Sequence, residues 1–281
     1  MPILPPRPAR TPGQEPHRDR QVAESFGTDA ERYDRTRPRY PDAMVRRIVA
    51  ASPGPDVLDV GCGTGIASRQ FQAAGCRVLG VEVDARMADL ARRTGVDVDV
   101  EAFETWQPHG RRFDTVVAGQ AWHWVDPVAG ATKAAQVLRP AGRLAVFWNA
   151  FQPPPDVADA FADVYARVLP DQPAYRRRLP GLDGYSALLA KATDGIRQAG
   201  AFDEPQQWRF DWQRRYTRDE WLDQLPTHGD HTRLPPATLR EILASIAAAV
   251  DAMGGSFTMR YTAVVVTAAR TRAADPAAPA T

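Results

Sequence analysis

Asp59-Val60-Gly61-Cys62-Gly63-Thr64-Gly65 is the stretch of this 281-residue chain whose residue types and spacing point most directly to chemistry. It follows the apolar pair Val57-Leu58 and precedes Ile66 to Ala74, whose apolar spacing is helical. Glycines in such a turn let the backbone approach a ligand closely and take positive φ. A strand, a glycine turn and a helix in that order are the usual seat of a nucleotide-type cofactor. Glu82 lies 21 residues beyond Gly61, at the end of the next apolar run. A carboxylate at that distance suits hydrogen bonding to ribose hydroxyls. The dinucleotide fingerprint G-x-G-x-x-G is not met, because Ile66 stands where its third glycine belongs. Asp59 beside the turn also suits a cationic ligand better than a pyrophosphate.

Further candidates follow the later apolar runs. Gln120-Ala121-Trp122-His123-Trp124 comes directly after Phe113 to Ala118, and Trp148-Asn149 closes Arg143 to Trp148. Ligands of open α/β sheets bind beyond the carboxyl ends of the strands, so both segments belong at the mouth of a sheet. His123 is the expected general base if one is needed, since an imidazole titrates near neutrality. His228 and His231 have no matching cysteine or second histidine pair nearby, so no metal site is expected; they would line a pocket instead. Arg176-Arg177-Arg178 reads as a solvated face, and Cys62 as a small packing residue.

The elements that must position these residues alternate in type. Strands are expected at 57–60, 77–83, 96–100, 113–118 and 143–148, with helices at 66–74, 85–93 and 127–138 between them. That alternation is the mark of a parallel sheet with crossover helices. Arg139-Pro-Ala-Gly142 is expected as a turn. Residues 151–200 read as an inserted helical cap. A strand at 206–217 is expected to lead into a helix capped by Thr217, with Glu220 completing the capping box. Pro236 to Met253 is helical, ended by Gly254-Gly255, and Ser256 to Ala268 is a final strand. Residues 1–20 and 273–281, rich in proline or alanine, are expected as a disordered arm and a flexible tail around one domain, 21–272.

Composition bounds the function. The net charge is +1, which gives no electrostatic case for a nucleic-acid partner. Two cysteines, Cys62 and Cys76, cannot build a disulfide framework, so a reducing, cytoplasmic setting is expected. No run approaches the roughly 18 apolar residues of a membrane helix, and the proline-broken start lacks a secretory apolar segment.

Residues 22 to about 150 resemble the class I S-adenosylmethionine-dependent methyltransferases, small-molecule type. The Gln-Ala-x-His-Trp run is similar to that of trans-aconitate-type members. The resemblance implies an α/β, Rossmann-like sheet, mainly parallel with its last strand antiparallel. Asp59, Gly61, Cys62, Gly63 and Gly65 would wrap the methionine part of S-adenosyl-L-methionine, and Glu82 would hold the ribose diol. Val83 and Met87 would lie against adenine and sugar, with Ala102 and Phe103 flanking the adenine. The family often carries an aspartate where Ala102 stands. Gln120 would face the cofactor. In Phe26 to Pro41, Tyr33 would close over the site with Arg37 beside it. S-adenosyl-L-homocysteine would be the product. The protein would act as a monomer or homodimer.

Methyl transfer from a sulfonium is an in-line displacement. The protein holds the acceptor in line and keeps water out. A carboxylate acceptor needs no base, whereas a phenol or alcohol must lose its proton. Trp122, Trp148 and Asn149 are the expected acceptor-binding residues. The [DN]-P-P-[YFW] run of nucleic-acid amino-methylating members is replaced by Gly119-Gln120-Ala121-Trp122, which counts against base or glutamine N-methylation. A small-molecule acceptor is expected, and the resemblance implies an oxygen, hydroxyl or carboxylate, the commonest acceptor of such enzymes. Two other classes share this pattern. A methyltransferase-like protein would bind the cofactor and transfer nothing. An NAD(P)-linked oxidoreductase is disfavoured by the missing glycine and the absence of a Tyr-x-x-x-Lys pair.

Overall fold

The computed structural model describes residues 24–170, 181–229, 231–232 and 234–271. The expected arm, the tail and Arg176 to Arg178 lie outside them. Seven strands form one sheet: β1 (Asp56–Val60), β2 (Arg77–Glu82), β3 (Asp97–Val100), β4 (Phe113–Gly119), β5 (Leu138–Gln152), β6 (Gln206–Thr217) and β7 (Ser256–Ala269). Their order is β3-β2-β1-β4-β5-β7-β6. The first five pair in parallel, and β7 runs antiparallel to both of its neighbours. This is a Rossmann-like sheet, mainly parallel, and the last strand is the antiparallel one, as expected. The order reverses between β1 and β4, which opens a crevice at their carboxyl ends.

Alternation along the strands feeds two helical layers. Leu58, Val116, Val146 and Val264 face one side, against Ala131 and Ala134 of α5 (Pro127–Val137) and Leu189 and Ile196 of α7 (Ser186–Gln198). Their neighbours Val57, Val117, Ala145 and Val265 face the other, against Met44 and Ile48 of α2 (Asp42–Ala50) and Phe71 of α3 (Ile66–Ala73). α4 (Ala85–Arg93) lays Ala88 and Ala91 on Val96 and Val98.

A third cluster stands beyond the sheet mouth. Phe161 and Val164 of α6 (Pro155–Val168), Trp221 of α8 (Arg218–Gln224) and Ile242, Ile246 and Val250 of α9 (Pro236–Ala252) pack on Phe151, Phe257 and Tyr261. Residues 151–200 therefore divide. Their first helix joins this outer cluster, while their second, α7, is an ordinary sheet-flanking helix. Covering the mouth falls to α6 together with α8 and α9, some 60 residues further along the chain.

Two local differences have clear causes. Arg139 to Gly142 is not a separate turn ahead of β5 but a bulge within it, between the pairings Phe113↔Leu138 and Thr115↔Arg143, with Ala141 at φ 62. β5 also runs on past Trp148 to Gln152, because β7 stays paired with it as far as Gln152↔Arg260. The capping box of Thr217 and Glu220 is present. Among the described residues no helix is long and apolar enough to cross a membrane.

Candidate active site

Two adjoining clefts open at the β1–β4 crevice. The first, ≈ 510 Å³, is walled by the glycine turn after β1, by Gln120 after β4, and by Tyr33, Arg37 and Tyr40 from the N-terminal side. The second, ≈ 310 Å³, lies under the outer helices and is lined by Phe151, Trp221, Gln224, His228 and Tyr261. Arg37, Pro38, Gln120 and Asn149 line both.

The glycine turn is shaped by its φ values of 64, 57 and 84 at Gly61, Gly63 and Gly65. A side chain at Gly61 would strike Ala121 Cβ at 2.5 Å, so only glycine fits there. Glu82 holds the turn in place. Its Oε2 accepts from Gly63 N at 2.8 Å, and its Oε1 accepts from Val83 N at 2.9 Å and Asp84 N at 3.0 Å. Burial raises the Glu82 carboxyl above its ordinary pKa, against those hydrogen bonds.

Asp59 and Gln120 present unmet hydrogen-bonding capacity. Asp59 is 1% exposed; Ser68 Oγ donates to its Oδ2 at 2.6 Å, and its Oδ1 has no partner. Burial raises the Asp59 carboxyl to about 7, against the Ser68 hydrogen bond and reinforced by Glu82. Gln120 sits at φ 58, its backbone fixed by donation to Phe147 O, and its Oε1 is buried without a partner. Two acceptor atoms lacking donors, one on a carboxylate, suit a bound cation.

α1 (Ala30–Thr36) straps the clefts at both ends. On the glycine-turn side, Asp34 Oδ1 accepts from Thr64 Oγ1 at 2.7 Å and forms an ion pair with Arg69. On the outer side, Arg32 and Arg35 both pair with Asp223 of α8 at 2.9 Å. Just past α1, Arg37 donates from Nη2 to Thr227 O, and its guanidinium lies 4.7 Å over the Tyr33 ring. Burial lowers the Arg37 pKa and raises that of Tyr33.

The other expected residues divide. Met87 comes nearest the open side of Gly63, Val83 is half-buried after β2, and Ala102 is half-buried in the loop after β3. Phe103 turns into the core and stacks on Trp106, so it does not flank the cleft. Asn149 lines both clefts and accepts from Trp212 Nε1 at 3.3 Å through Oδ1.

Trp122, His123 and Trp148 are not at the mouth. Trp122 and Trp148 belong to the core on the α5 and α7 side, and neither lines either of these two clefts. His123 is 7% exposed, and its Nδ1 accepts from Trp148 Nε1 at 3.3 Å. Burial lowers its pKa to about 3. His123, expected as a base, lines neither of the two clefts. The short helical turn Trp122–Trp124 buries Trp122 and His123.

Trp221, Gln224 and Tyr261 were not anticipated from the sequence. Trp221, Gln224 and His228 recur at i, i+3 and i+7, the one signal that could have put them on a common face. Phe151 and Tyr261 needed the knowledge that β5 and β7 outrun the parallel strands. Among the described residues no group of three or more His, Cys, Asp or Glu is placed to hold a metal ion.

A glycine turn thus stands at the switch point of this sheet, with a second cleft beside it. A methyltransferase-domain family model matches residues 58–146. A malonyl-[acyl-carrier protein] O-methyltransferase of Enterobacter lignolyticus is 32% identical over 180 residues, 59% of this chain and 70% of that protein. The chain belongs to the methyltransferase family. An uncharacterized methyltransferase of Mycobacterium tuberculosis is 35% identical over 133 residues, 46% of this chain and 54% of that protein, so the chain spans about half the length of this relative. Among solved structures, a protein described as a type II methyltransferase from Anaeromyxobacter dehalogenans superposes with a TM-score of 0.62 at 24% identity, covering 84% of this chain and 99% of that one. That likeness shows the fold.

Proposed function

We propose that the protein transfers a methyl group from S-adenosyl-L-methionine to an oxygen of a small molecule held in the second cleft. The observation that carries this reading is the pair of buried acceptor atoms without donors, Asp59 Oδ1 and Gln120 Oε1, in a glycine-lined cleft at the switch point. The cofactor has the ammonium and sulfonium charge that such a site lacks, and when bound it supplies a methyl carbon already activated by positive sulfur. The backbone of Gly61, Cys62, Gly63 and Gly65 would take its methionine part beside Asp59 and Gln120. Glu82 would hold the ribose hydroxyls. Val83, Met87 and Ala102 would line the adenine side, while Tyr33 and Arg37 would cover the site. Asn149 and Gln120, shared by both clefts, would fix the acceptor in line, and the outer helices would exclude water. The oxygen acceptor is supported by the name of the Enterobacter lignolyticus relative, an O-methyltransferase.

Calorimetric titration with S-adenosylmethionine, S-adenosylhomocysteine and NADH tests the reading. Binding of both sulfur compounds at roughly micromolar Kd, with NADH silent, is the expected result. Silence of both sulfur compounds would overturn it.

A further inference from the structure

We infer that the outer edge of β6 is a dimerisation surface, and that its occupant is β6 of a second copy of this chain, paired antiparallel with Phe210 on the two-fold axis. β6 ends the sheet and is paired with β7 on one side only. It runs for 12 residues without a proline. Its pairing with β7 advances without a shift from Gln206↔Thr267 to Thr217↔Ser256. The outer row of backbone N–H and C=O groups is therefore regular, the form of edge that adds a strand. The opposite edge is blunted: β3 is 4 residues long and carries Asp97 and Asp99, with Asp99 held by Arg111.

Charges on an edge strand ordinarily keep copies apart. Those of β6 instead complement one another in one register. Side chains alternate between faces, so a self-pairing must set odd-numbered residues opposite odd-numbered ones to keep each face on its own side. Centred on Phe210, Arg209 faces the partner's Asp211 and Asp211 faces the partner's Arg209, while Gln207 faces the partner's Gln213. All four of these side chains are exposed in the single chain. Among the described residues Arg209 has no hydrogen bond or ion pair. Asp211 is already oriented, because Thr262 Oγ1 donates to its Oδ1 at 2.6 Å, which leaves Oδ2 for a cation.

The same register suits the other face. The half-buried Phe210 meets its own copy, and Trp208 meets the partner's Trp212, cross-strand aromatic pairs of the kind that stabilise a ladder. Competing registers fare worse. Centred on Arg209 or on Asp211, that residue would meet its own like charge. Centred on Gln213, Asp211 would face the partner's Arg215, but Arg215 already donates to Ser256 Oγ at 2.9 Å, and Trp212 would face the partner's Arg214. The interface would also back the clefts, since Trp212 is the residue that donates to Asn149 Oδ1.

Sedimentation equilibrium of the full chain at tens of micromolar, with no ligand added, reads the inference directly. The wild type should sediment as a dimer. Arg209→Asp sets carboxylates opposite each other on both sides of the axis, and Asp211→Arg does the same with guanidinium groups. Each should raise the dimer Kd by about tenfold or more. An equimolar mixture of the two variants regains opposite charges in a mixed dimer, as does the double swap of Arg209→Asp with Asp211→Arg. Both should return to within about threefold of the wild-type Kd. Recovery in the mixture also shows that each variant is folded, since only formed edges can pair. A monomeric wild type would overturn the inference and leave the edge to an extended segment of another protein. A dimer indifferent to both single variants would overturn it by placing the contact elsewhere. Single variants that dissociate with no recovery in the mixture or in the double swap would overturn the register, and the assignment with it.

Discussion

At the scale of single residues, the site is a set of buried polar atoms with known deficits, and the deficits make predictions. Asp59 carries a carboxyl raised to about 7 in the folded chain, against about 3.9 for an unperturbed aspartate. The folded state holds that proton more tightly than the unfolded chain does. Asp59 therefore reduces stability as pH rises from about 4 through about 7. Asp59→Asn should flatten that part of the Tm-versus-pH curve. A cation in the cleft selects the ionised carboxylate, so S-adenosylmethionine should bind up to about tenfold more tightly at pH 8 than at pH 6, and equally at both in Asp59→Asn. Glu82→Ala removes the acceptor for three backbone N–H groups and the proposed ribose contact together. Calorimetry should show about a tenfold or greater loss of S-adenosylhomocysteine affinity, since hydrogen bonds to charged groups contribute about 1.5–3 kcal/mol. His123→Ala should behave in the opposite way. It strands the Trp148 indole N–H and should cost about 1–3 kcal/mol in urea unfolding while cofactor affinity stays the same.

At the scale of elements, legibility in the sequence followed the range of the interactions. Periodicity and caps are local, so β2, α4, β6, the Thr217 capping box and the glycine turn could all be read from a few adjacent residues. The Trp122-His123-Trp124 run could not, because the same sequence can fold toward the mouth or toward the core. What decides is the space left between α5 and β5. The outer cover was also out of reach, since α6 meets α8 and α9 only after the chain has returned through β6 and β7. The strap α1 belongs here too. Its tie to Asp223 joins residues 191 positions apart and leaves no short-range trace. Both partners are about one-third exposed, so Asp223→Ala should cost less than about 1 kcal/mol of stability. Its effect should show instead as faster amide exchange over residues 30–36 and a raised KM for the cofactor.

At the scale of the whole molecule there are two bodies of apolar packing: the layered sheet core and the outer cluster of α6, α8 and α9. The first positions the glycine turn, and the second builds the wall of the second cleft. Ile246, fully buried in the outer cluster, tests whether they open separately. Ile246→Ala should cost about 2–5 kcal/mol, and hydrogen exchange should rise across 155–168 and 236–252 while β1 and β4 keep their protection. S-adenosylhomocysteine should still bind.

The overrun of β5 and β7 beyond the parallel strands bears on how such a protein could change its diet. Asn149 and Phe151 face the clefts from positions locked in a ladder with Ala263 and Tyr261, while Trp148 and Ala150, alternating with them, face the core. Adding or removing one residue here would exchange those two sets, placing core residues in the pocket and pocket residues in the core. A lineage built on this scaffold is therefore barred from the usual route to a new ligand, a longer or shorter loop on this wall. It must respell the pocket letter by letter, at every second position, and keep the word length fixed.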